Sequence, residues 1–274
     1  HSTPVLIQPK ESVCPCGQAT TVRELEERHK QMPFFAFFAS WRETNFRRFI
    51  HRLLSREKLF VEDPPKSKRW RLEPEGERLL EGLAGLAWQM QRAGKGAVDF
   101  GVLTVVLRAD ALDALGSEDL LKKALDSTLL EGDGELRFRH QLFQEYFAAM
   151  ALRERLGSLH AAELWPAKRW WERSGWEEAA VLLAGLHAQD CTPVIRWLAQ
   201  AQPEVAAQCI EESGAEPADR TGLLRELQAA WLPRLTDIAI EPQPEGRAAM
   251  GRALGRLGLD NRKGVGVDRN GVPD

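Results

Sequence analysis

The stretch 129–149 constrains the fold most strongly, because the spacing of its apolar residues changes from that of a strand to that of a helix. Leu130, Leu136 and Phe138 flank Gly132-Asp133-Gly134, a sequence suited to a tight reversal since glycine tolerates positive φ. Beyond His140, apolar residues recur at helical intervals: Leu142, Phe143, Tyr146, Phe147, Met150 and Ala151. The stretch therefore predicts a β-hairpin that leads directly into an amphipathic helix.

Apolar residues at helical intervals predict further helices on both sides of this stretch. Before it, these are 21–30, a helix capped by Asn45, 79–90, 100–107 and 118–128, the last capped by Ser117. After residue 156 a series of short helices follows. Pro193 and Pro203 stand at two of the helix starts, where a missing N–H group costs nothing.

The tryptophans and cysteines are interpreted as core residues. Four tryptophans between 165 and 176 could line a ligand cage, but at helical spacing the pattern favours packing. Cys14 and Cys16 are separated by one residue, unlike the two-residue spacing of zinc and redox motifs. Cys191 and Cys209 lie in apolar helical patterns, so we expect buried free thiols in a reducing compartment.

Residues 138–149, Phe-Arg-His-Gln-Leu-Phe-Gln-Glu-Tyr-Phe-Ala-Ala, resemble the end of the winged-helix domain in NACHT-type STAND NTPases. These are nucleotide-switched signalling proteins related to animal NOD-like receptors, and in them the histidine contacts the β-phosphate of bound ADP and holds the inactive state. The resemblance implies that contact for His140, and packing roles for Phe138, Phe143, Tyr146 and Phe147. On residue chemistry alone, His140 can also be a hinge histidine without a ligand.

Two other segments carry a resemblance to the same proteins. Residues 45–50 and 53–57 resemble the helical segment that follows the nucleotide-binding core in bacterial NACHT proteins. Residues 252–267 and the end at 271–274 resemble the junction to a formylglycine-generating-enzyme-like (sulfatase-modifying-factor, C-type-lectin-like) domain in bacterial NACHT fusions. A glycine-rich flexible tail is the alternative. Since the chain starts at His1 and stops at Gly-Val-Pro-Asp, we expect a piece of a longer protein.

Together these features predict a mainly α-helical chain in four parts. These are an N-terminal helical segment at 1–70, a winged-helix domain with a small β-hairpin at 71–157, a HEAT-like α-solenoid at 158–258, and a linker toward a further domain at 259–274. Successive helices with brief connections favour a solenoid because each helix pair buries its apolar face against the next.

The residues needed to hydrolyse a nucleotide are not found in this sequence. Gly94-Lys95-Gly96 lacks the Ser or Thr that follows the lysine of a P-loop, and a predicted helix precedes it instead of a strand. Six histidines are scattered without a paired nucleophile. We therefore expect no catalytic residues, no metal site and no cofactor in this chain, while the resemblance implies ADP or ATP with Mg²⁺ in the parent protein.

The charge and hydropathy of the chain limit its partners. The net charge is −3, from 37 basic and 40 acidic residues, and helix 118–128 offers only Lys122 and Lys123 to a phosphate backbone. The basic run around Trp70 is short, so we do not expect nucleic acid as a partner. No apolar run reaches the roughly 18 residues of a membrane span, and we expect a cytoplasmic protein.

The resemblance implies how such a chain acts. Its partners would be the protein's own nucleotide-binding domain and a C-terminal sensor domain, with oligomerisation on activation. The chain would sense the nucleotide state through His140 and relay it through the helical arm. The alternative is a free-standing α-solenoid scaffold that binds protein or nucleic acid.

The amphipathic pattern after His140 also ranks two neighbouring side chains. Phe143 falls on the apolar face, where truncating an aromatic costs about 3–5 kcal/mol. Gln144 falls outside that face. We therefore expect Phe143→Ala to lower the melting temperature sharply and Gln144→Ala to change it little.

The missing P-loop gives a direct prediction for the isolated chain. It should hydrolyse neither ATP nor GTP above background, because no residue set for positioning Mg²⁺ and the γ-phosphate is present. Phosphate release from the purified chain measures this. A turnover that His140→Ala abolishes would contradict the prediction, since a contaminating enzyme would not respond to that change.

Overall fold

The computed structural model describes Ile50 and residues 60–62, 70–94, 105–165, 167–260 and 262. All of them belong to Arg42–Asp274, one of two units into which the chain divides. Over these ranges the chain is mainly helical, with nine α-helices and a small three-stranded antiparallel sheet, which confirms the predicted class. The predictions for the helices at 21–30 and after Asn45, for Cys14 and Cys16, and for the tail beyond 262 lie outside the described residues.

Five strands and nine α-helices follow one another in the described ranges. The strands are β1 (Phe60–Glu62), β2 (Trp70–Leu72), β3 (Val106–Leu107), β4 (Leu130–Gly132) and β5 (Glu135–Phe138). The helices up to the hairpin and directly after it are α1 (Pro74–Ala93), α2 (Arg108–Leu115), α3 (Glu118–Asp126) and α4 (Gln141–Arg155). The later helices are α5 (Glu177–Leu186), α6 (Thr192–Ala199), α7 (Pro203–Glu212), α8 (Arg220–Thr236) and α9 (Pro244–Arg256).

The predicted β-hairpin is confirmed and carries a third strand. β4 and β5 pair antiparallel with Leu130 opposite Phe138, and β3 pairs on the other side of β5 with Val106 opposite Leu136. The helix predicted over 100–107 is therefore wrong at its end, because Val106 and Leu107 form a strand. Valine favours strands, and the open edge of β5 supplies the backbone partners that this short segment needs.

The turns on either side of β4 use unusual backbone conformations. Gly132 has a φ of +118°, and a Cβ atom there would collide with the carbonyl oxygen of Glu135. Thr128 has a φ of +60° just after α3; its N–H donates to the carbonyl of Leu125 (2.9 Å), and the N–H of Leu129 donates to that of Ala124 (3.1 Å). This is the Schellman pattern of helix ends, with threonine where glycine is usual.

Helix α4 is buried nearly all round, because α1 packs on one side of it and α5 on another. The apolar side chains predicted as packing residues are buried, and the rings of Phe138 and Phe147 stack with centroids 5.7 Å apart. Ala148 and Ala149 on the remaining faces are fully buried too. The sequence predicted one apolar face, whereas the structure encloses the helix.

The second half of the described chain has the predicted core and helix starts. Trp165, Trp170 and Trp176 are buried, and so are the free thiols of Cys191 and Cys209. Pro193 and Pro203 lie in the first turns of α6 and α7. α7 packs against α5, α6 and α9, and α8 packs against α9.

The predicted cap of α3 is also present. The hydroxyl of Ser117 accepts a hydrogen bond from the N–H of Leu120 at 3.2 Å. Within the described part of the chain, no helix combines the length and the apolar character needed to cross a membrane. The boundaries proposed at 70, 157 and 258 stay predictions.

The hairpin turn gives the first test of the fold. Gly132→Ala should lower the free energy of unfolding by more than about 1–2 kcal/mol, because the added methyl both collides with Glu135 and disfavours the positive φ. Gly134→Ala is the matched control, since a Cβ atom there meets nothing within 4 Å. Thermal melts of the two variants compare them, and equal shifts would contradict the assigned turn geometry.

Candidate functional site

The structure places His140 at the joint between β5 and α4, as the sequence predicts. It is the residue that precedes α4, with an extended backbone (φ −131°, ψ 138°), and its carbonyl accepts a hydrogen bond from the N–H of Phe143 at 2.9 Å. The residue is exposed. In the described structure, its side chain makes no capping hydrogen bond to the first turn of α4.

The imidazole of His140 packs against an aromatic ring of α4. The ring of His140 lies edge-on to that of Phe143, with centroids 5.4 Å apart and planes at 74°. Phe143 itself is buried, and just before His140 the backbone N–H of Arg139 donates to the carbonyl of Leu129 at 3.0 Å. The histidine therefore stands on an anchored backbone, and the residue is exposed.

The start of α4 favours an anion electrostatically. Backbone N–H groups of the first turn carry a partial positive charge at the end of a helix. The first turn of α4 contains no acidic residue, and the last turn contains Arg153 and Arg155. A neutral imidazole can donate one N–H, so His140 and the helix start together present donors that suit a phosphate oxygen.

Gln144 is buried, which corrects the expectation that its truncation has little effect. Its Nε2 donates to Oε1 of Gln91 on α1 at 2.7 Å, and Nε2 of Gln91 donates to the carbonyl of Gly175. Gln144 is 6% exposed. The chain of hydrogen bonds connects α1, α4 and the loop before α5, which are far apart in the sequence.

Glu145 is a buried carboxyl that the sequence pattern did not predict. It is 7% exposed, and Nε2 of Gln141 donates to its Oε1 at 2.7 Å. Burial raises the pKa of Glu145 to about 8, with the negative charge of Glu178 as the next cause. Burial also raises the pKa of Glu178 to about 7, with the charge of Glu212 as the next cause.

A second buried carboxyl belongs to Glu177, the first residue of α5. It accepts hydrogen bonds from the loop before that helix. Its Oε1 accepts from the indole N–H of Trp165 (3.0 Å) and the N–H of Ser174 (2.7 Å), and its Oε2 accepts from the N–H of Gly175 (3.0 Å). The sequence does contain a signal for this arrangement. Ser174-Gly175-Trp176-Glu177 has the S-x-x-E spacing of a helix start.

The sequence offers no comparable signal for Gln144 and Glu145. In the amphipathic pattern, both fall on the polar side of α4. The alanines at 148 and 149 are the one feature of that side that is not typical of a solvated face. Among the described residues, no three His, Cys, Asp or Glu side chains are arranged to hold a metal ion. His140 is thus the one predicted site residue, and the structure brings it together with the start of α4.

Comparison of the chain with protein-family models, with curated proteins and with solved structures gave no match. The family resemblance of residues 138–149 therefore rests on those residues themselves.

The polar chain through Gln144 gives a test of the corrected packing. Gln144→Ala leaves Oε1 of Gln91 without its donor, so the free energy of unfolding should fall by about 1–3 kcal/mol. Gln89→Ala, at an exposed position of α1, is the control and should change little. Chemical denaturation of both variants measures the difference.

A double-mutant cycle sharpens this test. If Gln91 and Gln144 act as a pair, the loss in the double alanine variant should be smaller than the sum of the two single losses. Additive losses would show that the two side chains contribute independently.

Proposed function

We propose that the chain is a non-catalytic regulatory part of a NACHT-type STAND NTPase, in which His140 senses the bound nucleotide. The observation that carries the proposal is the placement of His140, exposed beside the start of α4 in the motif that resembles this class. In the parent protein, a phosphate oxygen of ADP would accept a hydrogen bond from the imidazole. The parent's own P-loop domain would hold ADP or ATP with Mg²⁺.

The assignment of α1 to α4 with the small sheet as a winged-helix unit belongs to the same proposal. Three helices, α1 to α3, precede a β-hairpin, and α4 follows it. β3 supplies the third strand that winged-helix sheets use. The helices α5 to α9 would form the HEAT-like arm, and neighbouring pairs such as α8 and α9 pack on each other.

The relay from nucleotide to arm would run along α4. His140 lies at one end of this helix, and Gln144 in its second turn connects through Gln91 to the loop before α5. A ligand changes a two-state equilibrium only through its different interaction with the two states. The contact of His140 with ADP would be such a difference, since it would exist only in the closed arrangement.

The test uses the parent protein that contains this chain and its P-loop domain. A hydrogen bond to a charged group contributes about 1.5–3 kcal/mol, so His140→Ala should lower ADP retention about ten- to hundredfold and raise basal activity. ADP that co-purifies with wild-type and variant protein is quantified after denaturation. Basal output is measured on the same samples.

The control separates a lost contact from a damaged helix start. His140→Asp also removes the imidazole and leaves no side-chain donor, but aspartate is a favourable residue before a helix, so the melting temperature should hold or rise. Loss of ADP in both variants, without loss of stability in the aspartate variant, is the expected pattern. Unchanged ADP occupancy and unchanged basal activity would make His140 a structural hinge and favour the scaffold alternative.

A further inference from the structure

Three buried or half-buried glutamates lie on α4 and α5, two helices that pack against each other. Glu145 lies on α4, and Glu177 and Glu178 begin α5. Glu145 and Glu177 are each 7% exposed, and Glu178 is half-buried. A buried carboxylate is stable only when charges or donors offset the loss of hydration.

The partners of Glu145 do not provide such an offset. Its hydrogen bond comes from the amide of Gln141, which is neutral. The charged groups that face it are Glu177 and Glu178, which raise its pKa, and Arg173 in the loop before α5, which lowers it. From α1, Gln91 bonds to the neighbouring Gln144, and from β5, Phe138 stacks on Phe147; both of these contacts are uncharged.

The surroundings of Glu178 extend the same imbalance to α7. Glu212 raises the pKa of Glu178, while Arg173 and a hydrogen bond from Gln208 lower it. Glu212 is itself paired with Arg256 of α9 at 2.6 Å. Burial raises the pKa of the nearby Cys209 thiol well above its ordinary value. This group therefore adds no charge near neutral pH.

We propose that the contact between α4 and α5 is a proton-linked joint, closed when Glu145 holds a proton and weakened when Glu145 and Glu178 are both ionised. In the closed form, the protonated carboxyl of Glu145 removes the repulsion from Glu178 while its other oxygen still accepts from Gln141. Ionisation returns a negative charge to a buried interface, where burial and the neighbouring glutamates oppose it more than Gln141 and Arg173 stabilise it. The inference stands independently of any nucleotide contact by His140.

The direction of the effect follows from the raised pKa values. Burial raises the pKa of Glu145 to about 8 and that of Glu178 to about 7, against 4.5 for an ordinary glutamate. The folded state thus binds more protons than the unfolded state between these limits. The stability that these protonated carboxyls contribute is fully present below their unfolded pKa of 4.5. It is lost as the pH rises through their folded pKa values of about 7 and 8.

Hydrogen exchange on the whole chain tests the joint, with rates corrected for the chemical exchange rate at each pH. Protection of the amides in α4 and α5 should fall by at least about tenfold between pH 6 and pH 8, while the amides of α8 serve as an internal reference and should change less. Glu145→Gln should abolish most of this fall, because glutamine cannot ionise and its oxygen can still accept from Gln141. Glu154→Gln, at an exposed position in the last turn of α4, should leave it unchanged.

A second variant keeps the proposal testable if Glu145→Gln does not fold. Glu178→Gln removes the main repelling charge, so the loss of protection with rising pH should become smaller. The proposal is overturned if the pH dependence of α4 and α5 is the same in wild type and in every folded variant. It is also overturned if α8 loses protection to the same extent as α4 and α5.

Discussion

The burial of α4 on several sides at once is the constraint on which the rest of the described structure depends. This helix of fifteen residues contacts α1 on one side and α5 on another. Its side chains must therefore pack well on both faces. Alanines at 148 and 149 let neighbouring backbones approach, while Phe147 reaches back to the hairpin through Phe138. The position of His140 follows from this packing, because it is the residue between the anchored strand and the anchored helix.

Enclosure of α4 also explains why polar groups matter so much in this molecule. A glutamine or glutamate on an open helix face is hydrated, but inside a helix contact it needs a hydrogen-bond partner from the protein. Gln144 finds one in Gln91, and Glu177 finds three donors around the loop before α5. Such bonds require particular alignments between helices, whereas apolar contacts tolerate sliding.

The parts of the fold that depend on nearby residues could be predicted from the sequence. The hairpin, the cap by Ser117 and the helix starts at the prolines each follow from chemistry within a few residues. β3 could not be predicted in this way, since Val106 becomes a strand only by pairing with Leu136, thirty positions along the chain. Local spacing alone cannot distinguish a short strand from the end of a helix.

The candidate site likewise has features that could be predicted from nearby residues and features that depend on distant ones. Placement of His140 at the joint followed from the change of period around it, while its proposed nucleotide contact came from the resemblance of residues 138–149. The buried states of Gln144 and Glu145 depend on α1 and α5, whose closest residues lie dozens of positions away in the sequence. One-faced amphipathicity describes a helix on a surface, and it fails for a helix enclosed between others.

Thr128 at the end of α3 has a consequence for local motion. A β-branched residue with positive φ is unfavourable by about 1–2 kcal/mol relative to its relaxed backbone, and that energy is released when the last turn of α3 opens. Opening there is correspondingly easier than at a helix that ends in glycine. The carbonyls of Ala124 and Leu125, which accept the two hydrogen bonds of this turn, would lose them in such an opening, immediately before the first strand of the hairpin that leads to His140.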